Sequence, residues 1–202
     1  KLIIVGSGAI GIEFASFYNS MGSDVTVLEM QDRILPTEDK DVSSFARKSF
    51  EQRGISFFVD SCFEVVKQEK SMISLSIETK GKKEKISAHT VLVAAGIVGN
   101  WEGLGLEKIG INTRAGMIVT NDFCKTNVEN IFAIGDITSP PWLAHKASHE
   151  GVMVAEIIAG QGNVRPLKTE HIPGCTYSNP QIASVGLTED KALEFGYEIK
   201  IG

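Results

Sequence analysis

No apolar run in the sequence is long enough to span a bilayer, which argues against a membrane-crossing helix, and no signal peptide is read at its start. Cysteine is scarce. Cys62, Cys124 and Cys175 are odd in number and widely spaced, which fits a reducing compartment better than a secreted-type disulfide framework. Each is a candidate reactive thiol or a plain buried or surface cysteine. Basic clusters are almost absent: the net charge is −5, and Lys80-Gly81-Lys82-Lys83 is the sole concentration. No nucleic-acid partner is read from that balance, and the short cluster reads as a solvated hairpin tip. No H-E-x-x-H occurs, and although His145 and His149 lie four apart, no metal site is assigned to them. An initiator Met is missing too. The chain opens on strand-like residues and closes on Tyr197-Glu198-Ile199-Lys200-Ile201-Gly202, which reads as a strand beginning, so an internal portion of a longer protein is expected.

What is present is an ordinary globular composition, 43% hydrophobic and 22% charged over 202 residues, with enough chain for one large domain or two small ones. The organising stretch is Gly6-Ser7-Gly8-Ala9-Ile10-Gly11. Before it, Lys1 to Val5 is apolar and β-branched and predicts a buried strand. After it, Ile10, Phe14, Phe17 and Met21 recur at helical spacing and predict the buried face of a helix, with Ser16 and Asn19 on its polar side and Gly22 as its stop. Strand, glycine turn and helix form the context in which G-x-G-x-x-G indicates a dinucleotide site. Gly6 permits the tight turn, Gly8 lets backbone approach a pyrophosphate, and Gly11 lets helix lie close on strand. The free N–H groups at the helix start favour phosphate. A second strand, Asp24 to Leu28, ends on Glu29, 18 residues after Gly11. A carboxylate there can accept from ribose hydroxyls and repels a 2′-phosphate, which favours NAD over NADP.

A helix is predicted over Asp41–Arg53 and a strand over Ile55–Val59. An antiparallel meander follows, made of Phe63–Val66, Ser71–Glu78 and Glu84–Ala88, and then a strand over Thr90–Ala94 before Ala95-Gly96. Residues 1–116 are thus expected to form a Rossmann-like, doubly wound α/β unit with the meander as one crossover. Asn130–Ile134 reads as another buried strand ending at Gly135-Asp136, and a helix is predicted from Trp142 to Ala159. A short strand (Ile182–Val185) and a helix (Glu189–Phe195) capped by Thr188 close the chain. The expected division is 1–116, 117–168 and 169–202.

These residues together resemble the flavin-dependent pyridine nucleotide–disulfide oxidoreductases, most closely their dihydrolipoamide-oxidising branch. The resemblance is carried by Gly6 to Glu13, Glu29, Ala95-Gly96, Asn130 to Asp136, Trp142 to Gly151 (with Leu143-Ala144-His145-Lys146-Ala147 its most specific part) and the run from Ile172 through Glu189. It covers essentially the whole chain in the family's order. It implies that Gly6, Ser7, Gly8, Ala9, Ile10, Gly11, Ile12 and Glu29 hold NAD, that Gly96 and Phe63 flank it, and that Glu13 orients the nicotinamide (helix-dipole compensation is the alternative for Glu13). It implies an FAD site at Gly135 and Asp136, whose carboxylate accepts from the ribityl chain. Trp142, Leu143, Ala144 and His145 would begin a helix aimed at the flavin.

It further implies part of the FAD-binding region in 117–168 and the start of an α+β dimer-interface domain from 169. The implied partners are a second copy in a homodimer and the lipoyl domains of 2-oxo acid dehydrogenase complexes, in a bacterial cytoplasm or a mitochondrial matrix. Departures stand beside the likeness. Ile97 and Gly99 occupy places where the family commonly has Arg and Pro, so Glu29 carries more of the NAD specificity. No two cysteines are separated by four residues, there is one G-x-G-x-x-G, and none of His89, His145, His149 and His171 lies in the context of the family's catalytic base. The chain alone is expected to bind NAD, hold little FAD and not complete the reaction. Another flavin disulfide reductase, or a non-catalytic nucleotide-binding module, are the alternatives.

Overall fold

The computed structural model describes all residues, Lys1–Gly202. Strand β1 (Leu2–Val5), all four residues buried, is the centre of a parallel sheet. It pairs with β2 (Val25–Leu28) on one side and β7 (Thr90–Val93) on the other, while β3 (Ser56–Phe58) adds beyond β2, giving the order β3-β2-β1-β7. Helix α1 (Ala9–Ser20) joins β1 to β2, and α2 (Lys40–Gln52) joins β2 to β3. Between β3 and β7 runs the antiparallel meander of β4 (Ser61–Gln68), β5 (Ile73–Thr79) and β6 (Lys82–Ala88). Its tip, Lys80-Gly81, has both residues at positive φ, as a two-residue hairpin requires. Successive side chains of a strand point to opposite faces, and β1 shows what that does. Leu2 and Ile4 pack with Ile12, Ala46 and Phe50 of the helices, whereas Ile3 and Val5 pack with Leu75, Ile77 and Ala88 of the meander. Helices cover one face of the sheet and the meander the other.

The expected buried face of α1 is a correction. Phe14, Phe17 and Met21 are 40%, 58% and 71% exposed and Ile10 is exposed with them, while Gly11, Ile12, Ala15 and Ser16 are buried. The helix approaches β1 most closely at Gly11, so small residues (Gly11, Ala15 and Ser16) take most of the inner face, with Ile12 as its one large side chain. Ser16, assigned to the polar side, is satisfied there because its Oγ accepts from the Asn179 N–H at 3.0 Å.

From Ile97 onward a second unit begins. Strands β8 (Thr113–Arg114) and β9 (Met117–Ile118) form a hairpin over Ala115-Gly116, and Leu106, Ile111, Ile118 and Ala133 form its core. The strand expected at Asn130–Ile134 is reduced to one bridge, Lys125 with Phe132. The reason is local: Asn130 turns the chain at φ 62, Gly135 turns it again at φ 73, and only a short extended piece fits between. Helix α3 (Ala144–Ile158) starts two residues later than expected.

Beyond it, β10 (Gly174–Thr176) pairs with β11 (Ile182–Ser184), followed by α4 (Glu189–Glu194). Thr188 caps α4 through the Lys191 N–H. Ile182 joins the core of the parallel-sheet unit. Asp39 caps α2 through the Asp41 N–H and also accepts from the Glu189 N–H at 3.0 Å. By packing, the chain divides into Lys1–Gly96 with Cys175–Gly202, and Ile97–Gly174; the expected division into 1–116, 117–168 and 169–202 rests on sequence motifs alone. No helix is long and apolar enough to cross a membrane.

Candidate functional site

The glycine turn is built by contact with its neighbours. Gly6 has φ 98, and a Cβ there would lie 2.6 Å from the Ala94 carbonyl oxygen. A Cβ on Gly11 would lie 1.9 Å from the Gly6 carbonyl oxygen. Both positions therefore admit glycine alone without displacing backbone. Gly8 differs: nothing lies within 4 Å of its Cβ direction, and it opens onto a cleft. Gly8 is the N-cap of α1, with no side-chain cap and no acid in the first turn. The leading amides of α1 thus keep their capacity to bind an anion.

Gly6 and Gly8 border a cleft of about 280 Å³ shared by Glu29, Ser61, Phe63 and Gly96. Glu29 is held on both oxygens. Oε2 accepts from the Ser7 N–H at 2.9 Å and the Ser7 hydroxyl at 2.7 Å, and Oε1 accepts from the Gln31 N–H at 2.8 Å. Its backbone is pinned as well, since its N–H donates to Phe58 and its carbonyl accepts from the Ser61 N–H. Partial burial pushes the Glu29 carboxyl up, but the bonds from Gln31 and Ser7 outweigh it and hold the group below its ordinary 4.5. A depressed folded-state value means that ionisation adds stability above pH 4.5 and that this contribution is lost as pH falls through the lower folded-state value.

Of the remaining nucleotide-site residues, Ala9 and Ile10 stand exposed at the helix start. Ile12 is turned into the core. Glu13 Oε1 accepts from the Tyr177 N–H at 2.8 Å. Sequence reasoning missed Gln31 and Ser61, which carry no motif; only their nearness to Glu29 in the fold reveals them.

The flavin-motif residues lie together in the second unit. Gly135 turns at φ 73, where a Cβ would meet the Ala147 Cβ at 3.4 Å, so the turn rests directly on α3. Asp136 stands exposed beside it. The Trp142 indole N–H donates to the Thr138 carbonyl, and Leu143 precedes α3 without a side-chain cap. Ala144 is exposed, and His145 Nε2 donates to the Pro173 carbonyl. Beneath the turn runs a network that the sequence did not announce beyond its i, i+4 spacing. Lys146 Nζ and Glu150 Oε1 are 3.0 Å apart at side-chain exposures of 5% and 10%. Glu150 Oε2 accepts from the Gly135 N–H, and Lys146 donates to the Ser139 carbonyl and the Thr138 hydroxyl. The residues fit a flavin: a turn packed on α3, an exposed carboxylate and an uncapped helix start offer acceptor and donors with no competing side chain.

The three cysteines are free. Burial, with the Glu150 carboxylate adding to it, pushes the Cys124 thiol up to about 11, so it is almost entirely protonated at neutral pH and unreactive. Cys62 is exposed. Titration of the native chain with a thiol reagent at pH 8 should label Cys62 rapidly and leave Cys124 unmodified until urea unfolds the chain; rapid labelling of Cys124 in the native chain would contradict the burial.

Comparison with known proteins gives consistent relatives. Residues 1–151 match the family described as pyridine nucleotide-disulphide oxidoreductase, and residues 172–202 match that family's dimerisation domain. A dihydrolipoyl dehydrogenase of Rhizobium etli is 51% identical over all of this chain, and one of Zymomonas mobilis is 48% identical. The chain spans 42% and 44% of those two proteins. Among solved structures, LpdA from Mycobacterium tuberculosis matches 96% of the chain and 42% of its own length, with a TM-score of 0.83 at 30% identity. The HOCl-induced flavoprotein disulfide reductase RclA from Escherichia coli matches 98% of the chain and 45% of its own length, at 0.85 and 26%.

Proposed function

Because this chain belongs to the pyridine nucleotide–disulphide oxidoreductase family, we propose that its glycine-lined cleft is the NAD(H) site of a flavin-dependent dihydrolipoyl dehydrogenase. The observation that carries the reading is the clamped, ionised Glu29 at the end of β2, facing the same cleft as Gly6, Gly8 and Gly96. The leading amides of α1 take the pyrophosphate and the Glu29 oxygens take the ribose hydroxyls. Phe63 and Gly96 flank the nucleotide, and Ala9, Ile10 and Glu13 face its nicotinamide end. Ile12 contributes by packing.

The turn Gly135–Asp136, with Trp142, Leu143, Ala144 and His145 at the start of α3, holds the FAD. The flavin, when bound, supplies the two-electron relay between substrate thiols and NAD. The residues of this chain bind and orient: Asp136 accepts hydrogen bonds from the cofactor's hydroxyls, and the amides of Ala144 and His145 offer donors where negative charge collects. The whole protein is read as a homodimer that oxidises lipoyl domains of 2-oxo acid dehydrogenase complexes, in a bacterial cytoplasm or a mitochondrial matrix. The cysteine pair and His–Glu base of that reaction are not among these residues, so this chain alone should bind NAD, retain little FAD and not turn over dihydrolipoamide.

The test is a fluorescence titration with NADH and NADPH. The chain should prefer NADH, and Glu29→Ala should weaken NADH about tenfold, the loss expected for hydrogen bonds to a charged group, while improving NADPH. An unchanged NADH affinity in Glu29→Ala would refute the assignment.

A further inference from the structure

We propose that Ser7 is a positioning residue that sets dinucleotide specificity by locking Glu29, rather than by touching the nucleotide. The inference rests on the reading of the cleft as an NAD(H) site and deepens it. Ser7 is fully buried, and every polar group it owns is turned inward. Its N–H and hydroxyl both donate to Glu29 Oε2, at 2.9 and 2.7 Å, and its carbonyl accepts from the Leu35 N–H at 2.9 Å. Both donors of Ser7 are spent on Glu29 and the residue is fully buried, so its place within the glycine motif is not explained by cofactor contact. What it does instead is fix one carboxylate oxygen from two directions, while the Gln31 N–H fixes the other.

A carboxylate with its orientation and charge both held discriminates more sharply than a free one. A 2′-phosphate arriving at a mobile glutamate can be accommodated by rotation or by protonation of the acid, and the Ser7 bonds oppose both escapes. The Glu29 carboxylate is held by hydrogen bonds from Ser7 and Gln31 rather than by an ion pair. The hydroxyl of Ser7 is therefore one of few handles on that carboxylate.

Two variants, Ser7→Ala and Ser7→Gly, delete the hydroxyl and keep the amide. Each would be titrated with NADH and NADPH beside the unaltered chain, and the Glu29 carboxyl would be followed by carbon-13 NMR over pH without nucleotide. The expected result is a fall of about tenfold in the NADH-over-NADPH affinity ratio, together with a rise in the carboxyl midpoint of Glu29. A purely structural serine would weaken both nucleotides equally and leave the carboxyl titration in place. If either folded variant keeps the ratio and the midpoint of the unaltered chain, Ser7 does not act through Glu29 and the proposal falls, with the NAD(H) assignment intact. If the unaltered chain itself shows no preference for NADH, the assignment fails and the proposal fails with it.

Discussion

Gly11→Ala should disrupt the parallel-sheet unit, whereas Gly8→Ala should leave it folded and remove only its nucleotide affinity. The two residues sit three apart in one motif, yet their surroundings are opposite. The added methyl at position 11 would meet a backbone oxygen at 1.9 Å. Backbone cannot swing aside as a side-chain tip can, so α1 must lift from β1. That movement would unpack Ile12 and Ala15 from Leu2 and Ile4 in the core. An overpacked core position of this kind loses about 3 kcal/mol. At position 8 the methyl meets no protein atom and the backbone φ of −65° suits alanine, so any loss comes from the space reserved for a pyrophosphate. Urea unfolding followed by far-UV circular dichroism, paired with NADH titration, separates the two effects. A stable Gly11→Ala, or a Gly8→Ala that binds as before, would break the argument at its root.

The second large effect is expected at the buried pair in α3. Glu150→Ala removes the ionic partner of Lys146 and the acceptor of the Gly135 N–H together. An ammonium at 5% exposure is then left with two neutral oxygens. Breaking a buried ion pair from one side loses about 3–5 kcal/mol, and the loss should fall on the unit spanning Ile97–Gly174. Both tryptophans, Trp101 and Trp142, lie in that unit, so tryptophan fluorescence in urea reports it selectively. The double variant Lys146→Met with Glu150→Met removes both charges. It should be less destabilised than Glu150→Ala alone, because no orphaned charge remains. Additive losses would mean that the two side chains act independently and that the Gly135 turn does not depend on their pairing.

Much of the fold was legible in the residues themselves, and the exceptions share a cause. The order of strands and helices around the glycine motif, the inserted meander and the cap at Thr188 follow from local chemistry. β-branched runs, glycine stops and a polar residue before a helix act within a few residues of themselves. The inner face of α1 was misjudged because periodicity identifies an apolar stripe but not the distance to the sheet. At close approach, Gly11 and Ala15 exclude Phe14 and Phe17 from the interior. Asn130–Ile134 has strand-like residues without neighbours to ladder with, and composition does not supply a partner. At the cleft, Glu29 was found by its spacing from Gly11. Its clamp was not, because Gln31 acts through its backbone N–H and Ser61 through its N–H and hydroxyl on the Glu29 carbonyl, and neither residue stands in a motif.

The return of Cys175–Gly202 to the first unit has a consequence for how the chain is made. During synthesis from the N-terminus, the sheet, the glycine turn and both of its helices emerge before Ile97, but Ile182 and the amide bonded to Asp39 do not. The 78 residues of Ile97–Gly174 must leave the ribosome first, and closing a loop of that length loses about 4 kcal/mol of chain entropy. Until then the nascent unit carries a vacancy in its core and an unfinished contact at the start of α2. The middle unit, continuous in sequence, emerges before that contact can form. The core that Ile182 joins therefore waits on the emergence of the middle unit, and a pause in translation after Gly174 would hold the first unit in that unfinished state.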